Sequence, residues 1–156
     1  MTSIRNFIQM TEAVGTSGQP TVEQFVEIAD AGYTSVVNLA MPDSDDAIAD
    51  EGNIVTSLGM KYIHIPVPFD APTKEHLGSF IRVMRAMDGE KVWVHCVANA
   101  RVSAFMYHYL RIDKCYDDDA AKSALLRRWN PRWTAFGRSF CSFVKMNSPC
   151  EPTSPW

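Results

Sequence analysis

His95-Cys96-Val97-Ala98-Asn99-Ala100-Arg101 is the stretch whose residue types and spacing can do chemistry, a cysteine followed after four residues by an arginine. A thiolate is a nucleophile, and a guanidinium is a planar two-pronged donor that matches the oxygens of a phosphate. The run Lys91-Val92-Trp93-Val94 ahead of it reads as a buried strand, and the residues from Val102 to Leu110, apolar at 102, 105, 106, 109 and 110, read as a helix. Residues 96–101 are therefore expected to form a strand-to-helix loop, with amides that have no helical partner at the positive end of the helix dipole. Such a loop can cradle a tetrahedral oxyanion on the amides of Val97, Ala98, Asn99, Ala100 and Arg101 and on the Arg101 side chain, and it favours the Cys96 thiolate. The plainer alternative is a buried structural cysteine with an arginine capping a surface helix. A lone C-x4-R is weak evidence; the strand-loop-helix context and the preceding histidine strengthen it.

The elements that would position this loop alternate along the chain. After a start with no readable element, Ser17-Gly18-Gln19-Pro20 reads as a turn, and Thr21-Val22-Glu23-Gln24 has the capping-box spacing that opens a helix bearing Phe25, Val26 and Ile28 and ending at Ala31-Gly32. A β-branched strand over 34–40 comes next, then the loop 41–46, a helix through Ile54 to Leu58-Gly59, and a strand over 62–67. Thr73 caps a helix with Leu77, Phe80, Ile81, Val83 and Met84 that stops near Asp88-Gly89. Two more helical stretches, 118–128 and 131–146, are separated by Trp129-Asn130-Pro131, and 149–156 reads as a frayed, flexible tail. Strands separated by helices imply parallel crossovers and a sheet covered on both faces, which binds ligands beyond the carboxyl ends of its strands. Cys96 lies at such an end.

With 156 residues and 46% apolar content, the chain suits one α/β domain, expected over 1–148. No apolar run reaches the roughly 18–20 residues needed to cross a bilayer, and the N-terminus lacks a signal-peptide pattern, so a soluble cytoplasmic protein is expected. Cysteines at 96, 115, 141 and 150 show neither zinc-site pairs nor disulfide-scaffold density, and reduced thiols are the simpler expectation. Residues 1–90 hold 5 basic and 13 acidic residues, whereas 91–156 hold 10 basic and 5 acidic, so the basic half carries the anion loop. A pI near 5.8 argues against a polyanion binder. The expected partners are small or peptide-borne anions, with neither nucleic acid nor membrane among them.

Over roughly 17–112 the chain resembles a bacterial phosphatase-like family related to the cysteine-dependent tyrosine/dual-specificity phosphatases. Three stretches carry the resemblance ahead of the His95-Cys96 loop: Ser17-Gly18-Gln19-Pro20, Gly32-Tyr33-Thr34-Ser35-Val36-Val37-Asn38-Leu39 and Ile63-His64-Ile65-Pro66-Val67. It implies a three-layer α/β fold, with a mainly parallel central sheet and helices on both faces, and hydrolysis of phosphate monoesters through a phosphocysteine, with no metal or cofactor required. The substrate would be a phosphorylated small molecule or a phosphoprotein, and inorganic phosphate or sulfate would fit the loop. Phosphatases of this type use C-x5-R followed directly by Ser or Thr; here the loop is C-x4-R and the hydroxyl is displaced to Ser103. The shorter length resembles the active loop of rhodanese-type sulfurtransferases. Both families commonly place Gly three residues after the cysteine, where this chain has Asn99, the residue besides Gly that best accepts a positive φ.

Hydrolysis needs an acid for the leaving oxygen, and Asp70, in the loop Pro68-Phe69-Asp70-Ala71-Pro72, is placed as the general acid of the resembling family would be. Its alternative role is turn formation ahead of Thr73. Asp43, Asp45 and Asp46, on another loop at a carboxyl end, are the reserve candidates. His95 is expected to order the loop and the thiolate by hydrogen bonds, and Ser103 either to assist phosphocysteine breakdown or to cap backbone. His64, His76 and His108 lack ligand spacing and read as structural or surface residues, with no metal expected. Asp117-Asp118-Asp119 supplies helix-start charge, and Trp129 and Trp133 supply packing. Three functions stay open: phosphatase, sulfurtransferase or persulfide carrier, and a phosphate-binding module without turnover.

Overall fold

The alternation of apolar strands and capped helices produces a single five-stranded sheet in the computed structural model, which describes residues 3–128. The strands are β1 (Ile8–Gln9), β2 (Val14–Ser17), β3 (Ser35–Asn38), β4 (Lys61–His64) and β5 (Val92–His95), in spatial order β1-β2-β5-β3-β4. β2, β5, β3 and β4 run parallel, and β1 pairs antiparallel with β2. β5 is central, and its last residue, His95, sits level with Ser17 of β2 and Asn38 of β3. Three strand ends therefore meet where Cys96 leaves the sheet, as expected for an α/β ligand site.

The helices are α1 (Val22–Asp30), α2 (Glu51–Ser57), α3 (Lys74–Ala86), α4 (Ala100–Ile112) and α5 (Ala124–Arg128). The α1 capping box forms as expected: Thr21 Oγ accepts from the Gln24 amide, and the Gln24 side chain accepts from the Thr21 amide. α3 closes the same way with a histidine, His76 Nδ1 accepting from the Thr73 amide at 3.1 Å.

The chain divides into two compact units, Met1–Val102 and Ser103–Trp156. In the first, Phe25 and Ile28 of α1 and Val55 of α2 pack with Val36 and Trp93 on one sheet face. Val37 and Val94, which alternate to the other face, are equally buried, so the sheet is covered on both sides and the expected three-layer α/β class holds. Trp93 anchors the first face, stacked on Phe7 at 5.3 Å and edge-on to Tyr33 at 5.0 Å. That packing explains β2, which the sequence left unread: Val14-Gly15-Thr16-Ser17 is no β-branched run, yet a Cβ on Gly15 would lie 2.7 Å from both the Trp93 ring and the Tyr33 hydroxyl. Ser17 accordingly ends a strand and Gly18 bridges to Ala98, so the turn expected over Ser17-Gly18-Gln19-Pro20 does not form.

The second unit begins within α4, where Phe105, Met106, Tyr109 and Leu110 are buried. The helix expected over 118–128 shortens to Ala124–Arg128, because the Asp117 carboxylate takes the Ala120 amide at 2.7 Å in a turn and Ser123 caps α5 by accepting from the Leu126 amide at 3.0 Å. Tyr107 donates to Asp118 at 2.6 Å and Arg127 to Asp119 at 2.7 Å, so these aspartates tether side chains ahead of α5 and do not supply the expected helix-start charge. The expected helix over 131–146, the break at Trp129-Asn130-Pro131, Trp133, the tail 149–156, Cys141 and Cys150 lie outside the described residues. Cys96 is a free thiol, but Cys115 is disulfide-bonded, which corrects the expectation of reduced thiols throughout. Local spacing was silent on that bond because tertiary contact selects the pairs. Among the described residues, no helix is long and apolar enough to cross a membrane.

Candidate active site

The loop after β5 is shaped by what holds its carbonyls. Cys96 extends the ladder by one residue, its amide donating to the Ser17 carbonyl at 3.3 Å, while the His95 carbonyl accepts from the Leu39 amide at 2.8 Å. Beyond Cys96 the Val97 carbonyl accepts from the Gln19 amide at 3.1 Å, and the Ala98 carbonyl accepts from Asn6 Nδ2 at 2.9 Å. In a trans peptide the carbonyl and the next N–H point opposite ways, so tying Val97 to Gln19 turns the Ala98 amide to the other side of the loop. The approach is close: a Cβ on Gly18 would meet the Val97 carbonyl at 2.6 Å. Asn99 adopts φ 67, the left-handed conformation its residue type permits, and its side chain fixes it by donating to the Asn6 carbonyl at 2.8 Å and Thr16 Oγ at 3.1 Å. Cys96 itself is buried.

Arg101 is 4% exposed. One end of its guanidinium is docked, Nη1 donating to the Val67 carbonyl at 2.6 Å and the Leu39 carbonyl at 3.4 Å, just past the ends of β4 and β3. Its Nε is buried with no hydrogen-bond partner among the described residues. A buried donor left unpaired is costly, by about 1–3 kcal/mol, and an oxyanion would satisfy it. The Phe69 ring, half exposed, lies 5.8 Å from Arg101 Cζ. Asp70 follows Phe69 on the same loop and is exposed, so the acid candidate sits on the segment that flanks Arg101. Asp43 and Asp45 are exposed on the loop after β3, and Asp46 is paired with Arg5 at 3.2 Å.

His95 is fully buried, and its bond runs away from the loop: Nε2 lies 2.7 Å from Glu51 Oε1, and Phe25 meets the ring edge-on at 5.8 Å. Glu51, the partner of His95, is a residue of this site that sequence reasoning missed. Gln19 Nε2 donates to its other oxygen at 2.6 Å and Asn38 Nδ2 to Oε1 at 3.2 Å. Burial alone would raise the Glu51 carboxyl, but hydrogen bonds from His95, Gln19 and Tyr62 outweigh it and hold the group below its usual range. Burial, reinforced by the neighbouring Glu51 charge, pushes the Tyr62 hydroxyl up to about 12, so it stays a donor. Ser103 is buried in the second unit, where its hydroxyl accepts from Ser123 at 3.0 Å. His64 bonds the Ala40 carbonyl, His76 serves the α3 cap, and His108 is buried.

The arrangement combines a buried thiol at a central strand end, a helix N-terminus, and a buried arginine docked through Nη1 with Nε left without a partner among the described residues. Solved structures share the fold that carries it. A DUF442 protein from Shewanella putrefaciens CN-32, described as a candidate phosphatase, superposes with a TM-score of 0.82 at 33% identity, over 92% of this chain and 95% of that one. Pseudomonas aeruginosa TpbA, solved with phosphotyrosine, matches at a TM-score of 0.61 and 19% identity over 74% of this chain and 68% of that one, which shows the fold alone. The fold is thus that of the tyrosine/dual-specificity phosphatases. Within it, the chain belongs to the PTP-NADK family, described as DSP-PTPase phosphatase fused to NAD+ kinase, whose model matches residues 7–132. A beta-lactamase hydrolase-like protein of Xylella fastidiosa is 29% identical over 99 residues, 60% of this chain but 22% of that protein. The match therefore spans about a fifth of the length of the curated relatives.

Proposed function

We propose that the protein is a cysteine-dependent phosphatase that hydrolyses phosphate monoesters of a small molecule or a phosphoprotein. The observation that carries this reading is Arg101, with Nη1 fixed on the Val67 and Leu39 carbonyls and Nε buried and unpartnered beside a cysteine loop whose carbonyls are tied outward. Cys96 Sγ attacks phosphorus, the P–O ester bond breaks, and Asp70 gives its proton to the departing oxygen. Water then attacks the phosphocysteine, Asp70 takes back a proton, and the S–P bond breaks to release phosphate and the thiolate. The amides of Val97, Ala98, Asn99, Ala100 and Arg101 and the Arg101 side chain stabilise the charge on the transferring group.

The test is hydrolysis of aryl phosphates by wild type, Cys96→Ser and Asp70→Asn, with acid quenching to trap a phosphocysteine. Turnover is expected to vanish in Cys96→Ser. Asp70→Asn should lose about 10²–10⁴-fold on a poor leaving group and much less on a good one. Equal losses on both would move the acid to Asp43, Asp45 or Asp46. Sulfur transfer from thiosulfate to cyanide above the Cys96→Ser level, with no phosphocysteine, would establish a sulfurtransferase. Vanadate binding with neither activity would leave a binding module.

A further inference from the structure

Glu51 joins the two halves of the site. It opens α2, is 3% exposed, and gathers three donors from three places: Gln19 ahead of α1, Asn38 at the end of β3 and His95 at the end of β5, while the Tyr62 hydroxyl in β4 accepts from the same Asn38 side chain at 3.0 Å. Two lines run outward from its carboxylate. Through His95 it reaches the residue that precedes the nucleophile. His95 Nδ1 is buried and unpartnered among the described residues, so the bond to Glu51 is what orients the ring. The second line runs through Asn38, whose Oδ1 accepts from the Ala40 amide at 2.7 Å and so fixes the turn whose Leu39 carbonyl receives Arg101 Nη1. A fully bonded buried carboxylate is a stiff hub, because every shift breaks a charge-assisted bond in a low-dielectric site.

We propose that Glu51 is a positioning residue that holds the His95 ring as its Nε2–H form and, through Asn38, the turn on which Arg101 docks. The proposal rests on the reading of Cys96 and Arg101 as the anion-binding pair.

The experiment compares wild type, Glu51→Gln and Tyr62→Phe by calorimetric titration with vanadate and by long-range nitrogen–proton NMR of the histidine rings, with circular dichroism and thermal melting as controls. Glu51→Gln keeps the shape but sets an amide against the Gln19 donor and removes the anion. It is expected to weaken vanadate binding by about 10–100-fold, the scale on which partners behind a functional histidine act, and to turn the single Nε2–H pattern of His95 into a mixture. Tyr62→Phe removes the hydroxyl that accepts from Asn38 and helps hold the Glu51 carboxyl low, while keeping the ring, and should move both readouts the same way to a smaller extent. A merely structural role would lower the melting temperature and leave both unmoved, and that result in folded Glu51→Gln overturns the proposal. If Glu51→Gln does not fold, unchanged readouts in Tyr62→Phe overturn it instead. Wild type that binds no vanadate defeats the phosphatase reading and this proposal together, whereas wild-type binding that Glu51→Gln leaves intact defeats the proposal alone.

Discussion

Arg101 is held by one end and offers the other, a division of labour that only a forked cation supports. A lysine ammonium is a single point charge: it can reach the Val67 carbonyl or an oxyanion, and it lacks the planar pair of donors that serves both. Arg101→Lys should therefore weaken vanadate binding by about 1.5–3 kcal/mol, the scale of a charge-assisted hydrogen bond, while the chain stays folded. Calorimetry on the folded variant reads this directly, and unchanged affinity would mean that the docked Nη1 is the whole role of the residue. The cysteine and the arginine were legible because they share one loop and their spacing is itself the signal. Glu51 was not, since 44 residues separate it from His95 and an acid at a helix start is already explained by the helix dipole.

At the scale of elements, the loop depends on a left-handed residue clasped by the N-terminal segment. Asn99 and Asn6 each donate to a main-chain carbonyl at the other's position or beside it, and both have positive φ. Asn99→Ala loses both side-chain bonds and keeps a Cβ at φ 67, so it should destabilise the fold by about 1–3 kcal/mol, the range for strained backbone. Asn99→Gly loses the same bonds without the strain and should be the milder change. Urea unfolding of the pair measures the difference, and equal losses would assign the effect to the bonds to Asn6 and Thr16 and not to the backbone angle. α1 and α3 were read well because the caps at Thr21 and Thr73 are local signals, whereas the expected helix over 118–128 was not. β1 and β2 were missed because their pairing partners, not their own composition, make them strands.

For the whole molecule, the buried histidine in the second unit sets a pH dependence. Burial lowers His108 to about 4 from an ordinary value near 6.5. The unfolded chain takes up a proton as pH falls below about 6.5, and the folded chain does so only near 4, so stability declines across that window. With about 2.5 pH units at 1.36 kcal/mol each, the loss should approach about 3 kcal/mol. Glu51 acts in the same direction at lower pH: its depressed carboxyl contributes stability above the ordinary range near 4.5 that is lost as pH falls through the folded value. Urea midpoints at pH 7.5 and 4.5 should separate in wild type and draw together in His108→Gln. An unaltered gap in that variant would place the titrating group elsewhere.

The sequence by itself determined the class of the fold and the candidate loop between Cys96 and Arg101, because hydrophobic period, caps and a cysteine-to-arginine spacing are properties of neighbouring residues. The family resemblance implied a residue tolerant of positive φ at position 99, and Asn99 adopts φ 67. Tertiary structure alone decided what surrounds that loop. Val97 and Ala98 face their carbonyls outward because Gly18-Gln19 and Asn6 arrive from other parts of the chain, and Arg101 is half docked because the ends of β3 and β4 bring two carbonyls to it. Glu51 and Cys115 show the same limit: a buried charge network and a disulfide are chosen by which residues the fold makes neighbours, and separation along the chain carries no record of that choice.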